Sequence, residues 1–542
     1  MQRVARSFFY LSVLTIPFTS LLTQDAAFAA GNEQVGNTIR EFFDEGLLEI
    51  GSQKDDQRLS QIYTFYESRN FKPMWTRDSG IKFKAKDLLA ALKSAGDHGL
   101  NPNDYDIEGI ESRLGDDHPE TLAELELIIS DAFSQFAHHL SAGRVKPSTV
   151  NSAIKLNPQA PAPLKLINGA ESADSVANYV KSIQPQTPRY DRMKDALAKY
   201  RKLAASGGWR TVPAGPTLKP GMEDARIPVL RKMLATMGDL DSGNAGNGNV
   251  YDDTLVAGVK RFQERHGRTP DGVIGPSTLA AMNIPVEKRI DQLIINLERR
   301  RWMEDDFGKL YVFVNLADQQ LKVVEKKGNK EKTIHDSRVV VGKPFHSTPV
   351  FSKDMSFVVF NPYWNVPSSI ANNEYLPKLR KDPGALAKQN IHMFTSSGAQ
   401  VDPYSVNWNS VSKVPYRLRQ NSGPKNALGQ VKFMFPNKFN IYIHDTPSKS
   451  LFAKEIRYFS HGCIRVQNPD ELAEVLLGRQ GWSKSSVDSQ IGSQKRRIVN
   501  LKRKIPVHIS YLTAWVNKDG SINFRRDTYG RDKKLAAFML KE

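Results

Sequence analysis

The stretch "SHGCIRV", Ser460 to Val466, holds the single cysteine of a 542-residue chain. A lone thiol is a small buried hydrophobe, an intermolecular link or a nucleophile. Its neighbours decide among these. His444 ends the run "NIYIHDTP" nineteen residues upstream, and an imidazole beside a thiol lowers its pKa from about 8.5 so that thiolate is present near neutrality. Gly462 permits a close backbone approach, so amides around Cys463 can face a developing oxyanion. Arg465, two residues on, suits a carboxylate of substrate or protein. Taken singly, each has a plainer reading: a structural cysteine, a packed histidine, His461 capping a loop, Arg465 paired with Asp470. The combination points to an activated thiol.

These residues need a β framework. From about residue 308 the apolar period is two, in "KLYVFVNLADQQLKVVE", "DSRVVVGKPFHSTPVFS", "MSFVVFNPYWNVP", "KFNIYIHDT" and "IPVHISYLTAWV". The pattern predicts a mainly β domain over 308–515, a barrel or a sandwich. In "NIYIHD", Ile441 and Ile443 share one face, and Tyr442 and His444 the other. A hairpin-sized return would then bring Cys463 to His444. Residues 367–429 interrupt the strands with weak periodicity and many turn residues, as expected of a lid. Tyr404, Trp408, Tyr416, Arg417 and Arg419 in it suit packing on a peptide and meeting its carboxylates. Residues 516–542 form a C-terminal extension.

Upstream, residues 30–205 read as a helical scaffold, with apolar spacings of three and four in "RLSQIYTFYESRNF" and "LAELELIISDAFSQFAHHL". The Gly- and Pro-rich "AASGGWRTVPAGPTLKPG" marks a boundary. Residues 217–285 form a small helical unit, with Leu230, Met233, Leu234 and Met237 on one face and Leu255, Val259 and Phe262 on another, behind Asp252 and Asp253 as caps. "DLDSGNAGNGN" lacks the spacing and closing Glu of a calcium loop. The fold class expected is thus multidomain α+β. At the N-terminus, basic Arg3 and Arg6, an apolar run and "AFAA" predict a signal peptide over 1–29, cleaved after Ala29, and so an exported protein with no spanning helix thereafter. The net charge of +18 then suits wall or lipid anions better than nucleic acid. Its densest run, "KRRIVNLKRK" from Lys495, is expected to be a solvated helix face.

With these segments in view, "SHGCIRV" and "IHDTP" resemble the L,D-transpeptidase catalytic domain, and "VVVGKPFHSTPVFS" and "FNPYWNVPSSI" resemble further segments of its large periplasmic members. "VLRKMLATMG", "VKRFQERHG" and "PDGVIGPSTLAAMN" resemble the three-helix peptidoglycan-binding domain. The resemblance implies Cys463 as nucleophile and His444 as base, oriented by the Asp445 carbonyl. It implies amides of Gly462 and Cys463 as the oxyanion hole, with Arg465 and His461 in support. It further implies no cofactor or metal, peptidoglycan stem peptides as substrate, wall synthases as candidate partners, and a periplasmic location in a Gram-negative bacterium. The reaction implied is transfer of an acyl group from a tetrapeptide stem to an amine, joining third-position residues.

Two rivals use the same residues. His444, His461 and Cys463 would ligate zinc in a wall amidase, or the chain would be a non-catalytic wall-binding scaffold.

Overall fold

The computed structural model describes residues 19–45, 56–77, 80–244, 246, 248–328 and 330–540. The first 18 residues of the expected signal peptide lie outside these. Residues 19–29 begin helix α1, Thr19–Asp44. No helix among the described residues is long and apolar enough to cross a membrane.

The chain divides into two compact units. The first contains α1, α2 (Asp56–Ser68) and α3 (Pro119–Ala142). Its core is aromatic, with Tyr66, Trp75, Phe133 and Phe136 all buried. Glu126 of α3 is buried among them and satisfied by the amides of Trp75 and Thr76 and the hydroxyls of Tyr66 and Thr76, at 2.8–3.0 Å. A buried carboxylate is tolerable only when its oxygens are this fully engaged.

The second unit takes in residues 97–99, 142–159 and 185–542, and its first long helix is α4, Pro188–Ala205. Next come three helices, α5 (Ile227–Met237), α6 (Asp253–Arg265) and α7 (Pro276–Met282). Leu230, Met233, Leu234, Leu255, Val259 and Phe262, the two predicted stripes, meet in one buried core, with Met237 at its edge. Asp252 caps α6, its carboxylate accepting from the Leu255 amide at 2.9 Å. Helix α8, Val286–Arg301, packs on α4.

The remaining elements build a large sheet: β1 (Leu310–Asn315), β2 (Gln320–Lys327), β3 (Lys330–Gly342) and β4 (Phe351–Phe360). After an insertion holding β5 (Trp364–Asn365), α9 (Leu376–Lys381), β6 (Ile391–Phe394), β7 (Gln400–Val401) and β8 (Arg417–Gln420) come β9 (Val431–Met434) and β10 (Ile443–His444). They are followed by β11 (Tyr458–Ser460), β12 (Ile464–Val466), α10 (Pro469–Leu477) and β13 (Arg497–Ser510). The strand order is β11-β3-β12-β10-β9-β4-β13-β1-β2, and β2 also pairs with β3, so the sheet closes on itself. Closure removes the exposed edges that an open sheet would have to protect.

Three expectations change. The basic run from Lys495 lies largely on strand β13, not on a helix. Val499 and Leu501, then Ile505, Val507 and Ile509, repeat at a period of two on either side of an irregularity between Asn500 and Ile505, where Lys502, Arg503 and Lys504 stand exposed. The insertion is not loosely patterned, because β5-β8-β6-β7 form a sheet of their own over a buried core that includes Tyr375, Leu379, Leu386, Met393 and Leu418. The expected C-terminal extension, 516–542, folds into the second unit. β14 (Ala514–Val516) pairs with β15 (Ile522–Phe524), and both share a core with Tyr190, Leu197 and Leu293 of α4 and α8.

Candidate active site

The site is built across three adjacent strands. Lys432 of β9 lies opposite His444 of β10, and His444 lies opposite Arg465 of β12 in a parallel pairing. Directly opposed residues project from the same face of a sheet. Lys432, His444 and Arg465 therefore form one row, with Tyr442 two residues before His444 on that face. Cys463 is the last residue before β12. The parallel pairing corrects the expected hairpin return: residues 445–463 cross over, passing through β11 beside β3. Gly462, at φ +117°, makes the final turn in a conformation that only glycine adopts readily.

Cys463 opens into a pocket of about 880 Å³ lined also by His444, Tyr442, Lys432, Arg465 and His461. Its Sγ donates weakly to the Asn440 carbonyl at 3.6 Å, and the Tyr442 hydroxyl and backbone are within hydrogen-bonding reach. Burial pushes the thiol above its ordinary pKa, against the pull of Tyr442, Lys432 and Arg465. The same burial, aided by the charge of Arg465, drives His444 down to about 3. Its Nδ1 sits 2.5 Å from the Asp445 carbonyl, which as an acceptor requires that nitrogen to carry the proton. Among the described residues no hydrogen bond joins His444 to Cys463. The resting state is thus a neutral thiol near a neutral imidazole, not the thiolate anticipated from the adjacency alone. Dense packing outweighs the imidazole's influence.

The supporting residues sort themselves by their partners. The Gly462 amide donates to Ser460 Oγ at 3.1 Å, and Ser460 Oγ donates to the Cys463 carbonyl at 2.6 Å. This amide is occupied within its own turn and does not point to an oxyanion, contrary to expectation. The Asp445 side chain holds the Gln430 and Thr446 amides at 2.9 and 2.7 Å and pairs with Lys449 at 2.5 Å. It locks the end of β10. Arg465 has no carboxylate partner among the described residues, since Asp470 pairs with Lys484 at 3.0 Å. Its Nε is buried without a hydrogen bond. A guanidinium left so in a pocket wall is placed for a substrate carboxylate. His461, in the wall of the same pocket, pairs with Glu374 of the insertion 2.8 Å off.

Of the residues proposed to touch substrate from the insertion, Tyr404, Trp408, Arg417 and Arg419, none lines this pocket. Trp408 is buried in the insertion's own core and donates to the Pro403 carbonyl at 2.8 Å. Arg417 ties the carbonyls of Thr395 and Ser396, Arg419 lies over the rings of Phe394 and Tyr363, and Tyr404 stands exposed. The insertion reaches the pocket instead through Pro367 to Ile370, Asn373, Glu374, Ala427 and Leu428. Lys432 and Tyr442 were missed because the thiol is three-dimensionally close to them. The alternation that put Tyr442 on His444's face was the one available signal.

Residues 309–503 match the family described as "L,D-transpeptidase catalytic domain". The chain carries an L,D-transpeptidase catalytic domain. Residues 223–282 match a "Putative peptidoglycan binding domain" and residues 60–197 a "Scaffold domain". A curated Haemophilus influenzae protein named "Putative L,D-transpeptidase" is 36% identical over 258 residues, covering 47% of this chain and 51% of that one. The chain thus spans about half the length of this relative. Two solved structures are similar in part: an L,D-transpeptidase of Xylanimonas cellulosilytica (14% identity, 55% of this chain, 98% of that one, TM-score 0.17); and a fused Zn-dependent amidase/peptidase/peptidoglycan-binding protein of Clostridium acetobutylicum (11% identity, 55% and 100%, TM-score 0.16). Superpositions this weak carry no argument. The matched segment takes in β1 through the first half of β13, and it includes all five residues around the thiol.

Proposed function

We propose that the protein is an active peptidoglycan L,D-transpeptidase in which Cys463 is the nucleophile and His444 the base. The observation that carries this reading is the face shared by Cys463, His444, Tyr442, Lys432 and Arg465 at the floor of one pocket. Cys463 attacks the carbonyl of the L-centre of the third stem residue and displaces the terminal D-alanine. The thioester then passes to an amine of a second stem, which links two third-position residues.

Since thiol and imidazole both rest neutral, the proton leaves the thiol as the carbonyl is attacked. Catalytic hydrogen bonds often tighten only with substrate bound. The Nδ1–H held by the Asp445 carbonyl leaves Nε2 as the basic nitrogen. Lys432 and Arg465 place positive charge beside the sulfur, which favours thiolate as it forms. The insertion excludes water from the thioester and so favours an amine over hydrolysis. Peptidoglycan is the substrate polymer, and the module over 223–282 holds the enzyme on it, in the periplasm after export.

The zinc reading fares worse on geometry. His461 Nε2 is engaged by Glu374 at 2.8 Å, so this supposed ligand addresses a partner of its own. Mass analysis of wall fragments incubated with the purified protein tests the proposal. A third-to-third cross-linked dimer, insensitive to chelator, is expected. Unchanged fragments, or chelator-sensitive release of stems, would refute it.

A further inference from the structure

A second pocket, of about 470 Å³, shares no lining residue with the one around Cys463. Arg189 and Arg192 reach it from α4 and Arg300 from the last turn of α8, and the rings of Phe307, Tyr311 and Phe313 wall it. One carboxylate, Glu331, serves this cluster and is already taken. It accepts from Arg189 at 2.5 Å and from the Tyr311 hydroxyl at 3.0 Å. Arg189 also lies over the Phe307 ring.

Glu331, and for Arg192 also Asp191, act on Arg192 and Arg300 only from beyond ion-pair distance. Neither has an ion pair among the described residues, and the Nε of each is buried with no hydrogen-bond partner. Arg300 is 9% exposed. Buried cations are ordinarily paired, because an uncompensated one is among the costliest groups a fold can hold. Burial and the neighbouring arginines accordingly draw Arg300 down to about 9. The other charges on the lining do not relieve this. Asp318 is bound by Arg525 at 2.7 Å, while Lys322, Lys332 and Lys518 add positive charge.

We infer that this pocket binds a dicarboxylate, one carboxylate on Arg192 and the other on Arg300, with its carbon chain against the aromatic wall. Two guanidiniums from two different helices offer two bidentate donor sets, enough for two carboxylates, and a phosphate probe distinguishes this from one anion shared between them. The volume is that of a small-ligand site. Such a ligand has two sources, a free dicarboxylic acid or the acidic residues of a wall stem peptide. The inference does not depend on the transfer chemistry.

Calorimetric titration and thermal shift of the full chain carrying Cys463→Ala, which prevents turnover, test it. The probes are glutarate, a stem tetrapeptide, that peptide with its free carboxylates amidated, and inorganic phosphate. Glutarate or the peptide should bind and raise the melting temperature, and the more strongly binding one names the source. Amidation should weaken binding at least tenfold, as should Arg192→Gln and Arg300→Met. On the proposed function the stem peptide also enters the Cys463 pocket, so these two variants should weaken one of its two binding events and the single one of glutarate. Without ligand, R300M should melt no lower than the parent, since it deletes an unpaired buried charge. R192Q, on a partly exposed side chain, covers the case in which R300M misfolds. Parent-like affinity in both variants, binding of phosphate as tight as glutarate, or no binding of any probe at millimolar concentration would each overturn the inference.

Discussion

The His461 imidazole, two residues before the thiol, holds the Glu374 carboxylate of the insertion at 2.8 Å, Nε2 to Oε1. His346 lies alongside, its ring centroid 5.1 Å from that of His461. This contact ties the insertion to the loop that carries Cys463. Both side chains are more than a third exposed, so the pair is worth ~1 kcal/mol or less.

That modest energy sets the size of the first prediction. Glu374→Ala should leave the melting temperature nearly unchanged and raise the rate of thiol alkylation at Cys463 by about two- to fivefold, the factor that corresponds to ~1 kcal/mol or less. Hydrolysis should gain relative to transfer. Parent-like labelling and an unaltered product ratio would show that the contact does not restrain the insertion.

Cys463→Ala and Cys463→Ser should both abolish cross-linking in the wall-fragment assay with the fold intact. His444→Gln should also remove turnover while slow alkylation of the thiol persists, because the imidazole does not hold the thiol in the resting state. Measurable cross-linking by either Cys463 variant at unchanged melting temperature would remove the nucleophile from the scheme.

The thiol's raised pKa gives a pH signature. Alkylation of Cys463 should accelerate with rising pH through a midpoint above that of a free cysteine. Lys432→Met takes away a positive charge beside the sulfur and should move the midpoint further up. No acidic limb from His444 should appear in the range from pH 5 to 8, since it titrates at about 3. A midpoint that stays in place in K432M would show that the lysine is screened from the thiol.

Five buried histidines, His98, His266, His335, His444 and His508, are held below their ordinary value chiefly by burial and lower stability in acid, the first, second and fourth most strongly. His98 and His444 are held down to about 3 and His266 well below its ordinary value, in each case chiefly by burial. His266 is stacked on Phe262 with ring centroids 3.8 Å apart. A depressed folded-state value means that the unfolded chain takes up the proton first as pH falls. Stability should therefore be full above the unfolded value of about 6.5 and decline toward about 3, by at most about 1.4 kcal/mol per pH unit for each histidine. Chemical denaturation at pH 7.5, 6 and 4.5 measures the slope, and His266→Gln should make it shallower. An equal slope in H266Q would exclude His266 as a contributor.

The sequence alone was enough for local matters, because these rest on short-range periodicity and residue chemistry. The helical stripes at Leu230 and Val259, the Asp252 cap, the alternation that pairs Tyr442 with His444 and the single thiol in "SHGCIRV" can all be read within a few residues of chain. What surrounds each group is set by strands far apart in sequence. The row of Lys432, His444 and Arg465 exists because β9, β10 and β12 lie side by side, and no local pattern specifies that order. The protonation of Cys463 and His444 likewise follows from how much protein covers them, which outweighed their proximity. The same limit explains the insertion: its aromatic and basic residues looked suited to substrate, yet several fold onto one another because the segment has enough apolar side chains to bury a core of its own. Residue type determined which chemistry was available, and burial and strand order decided which residues face the thiol and in what charge state.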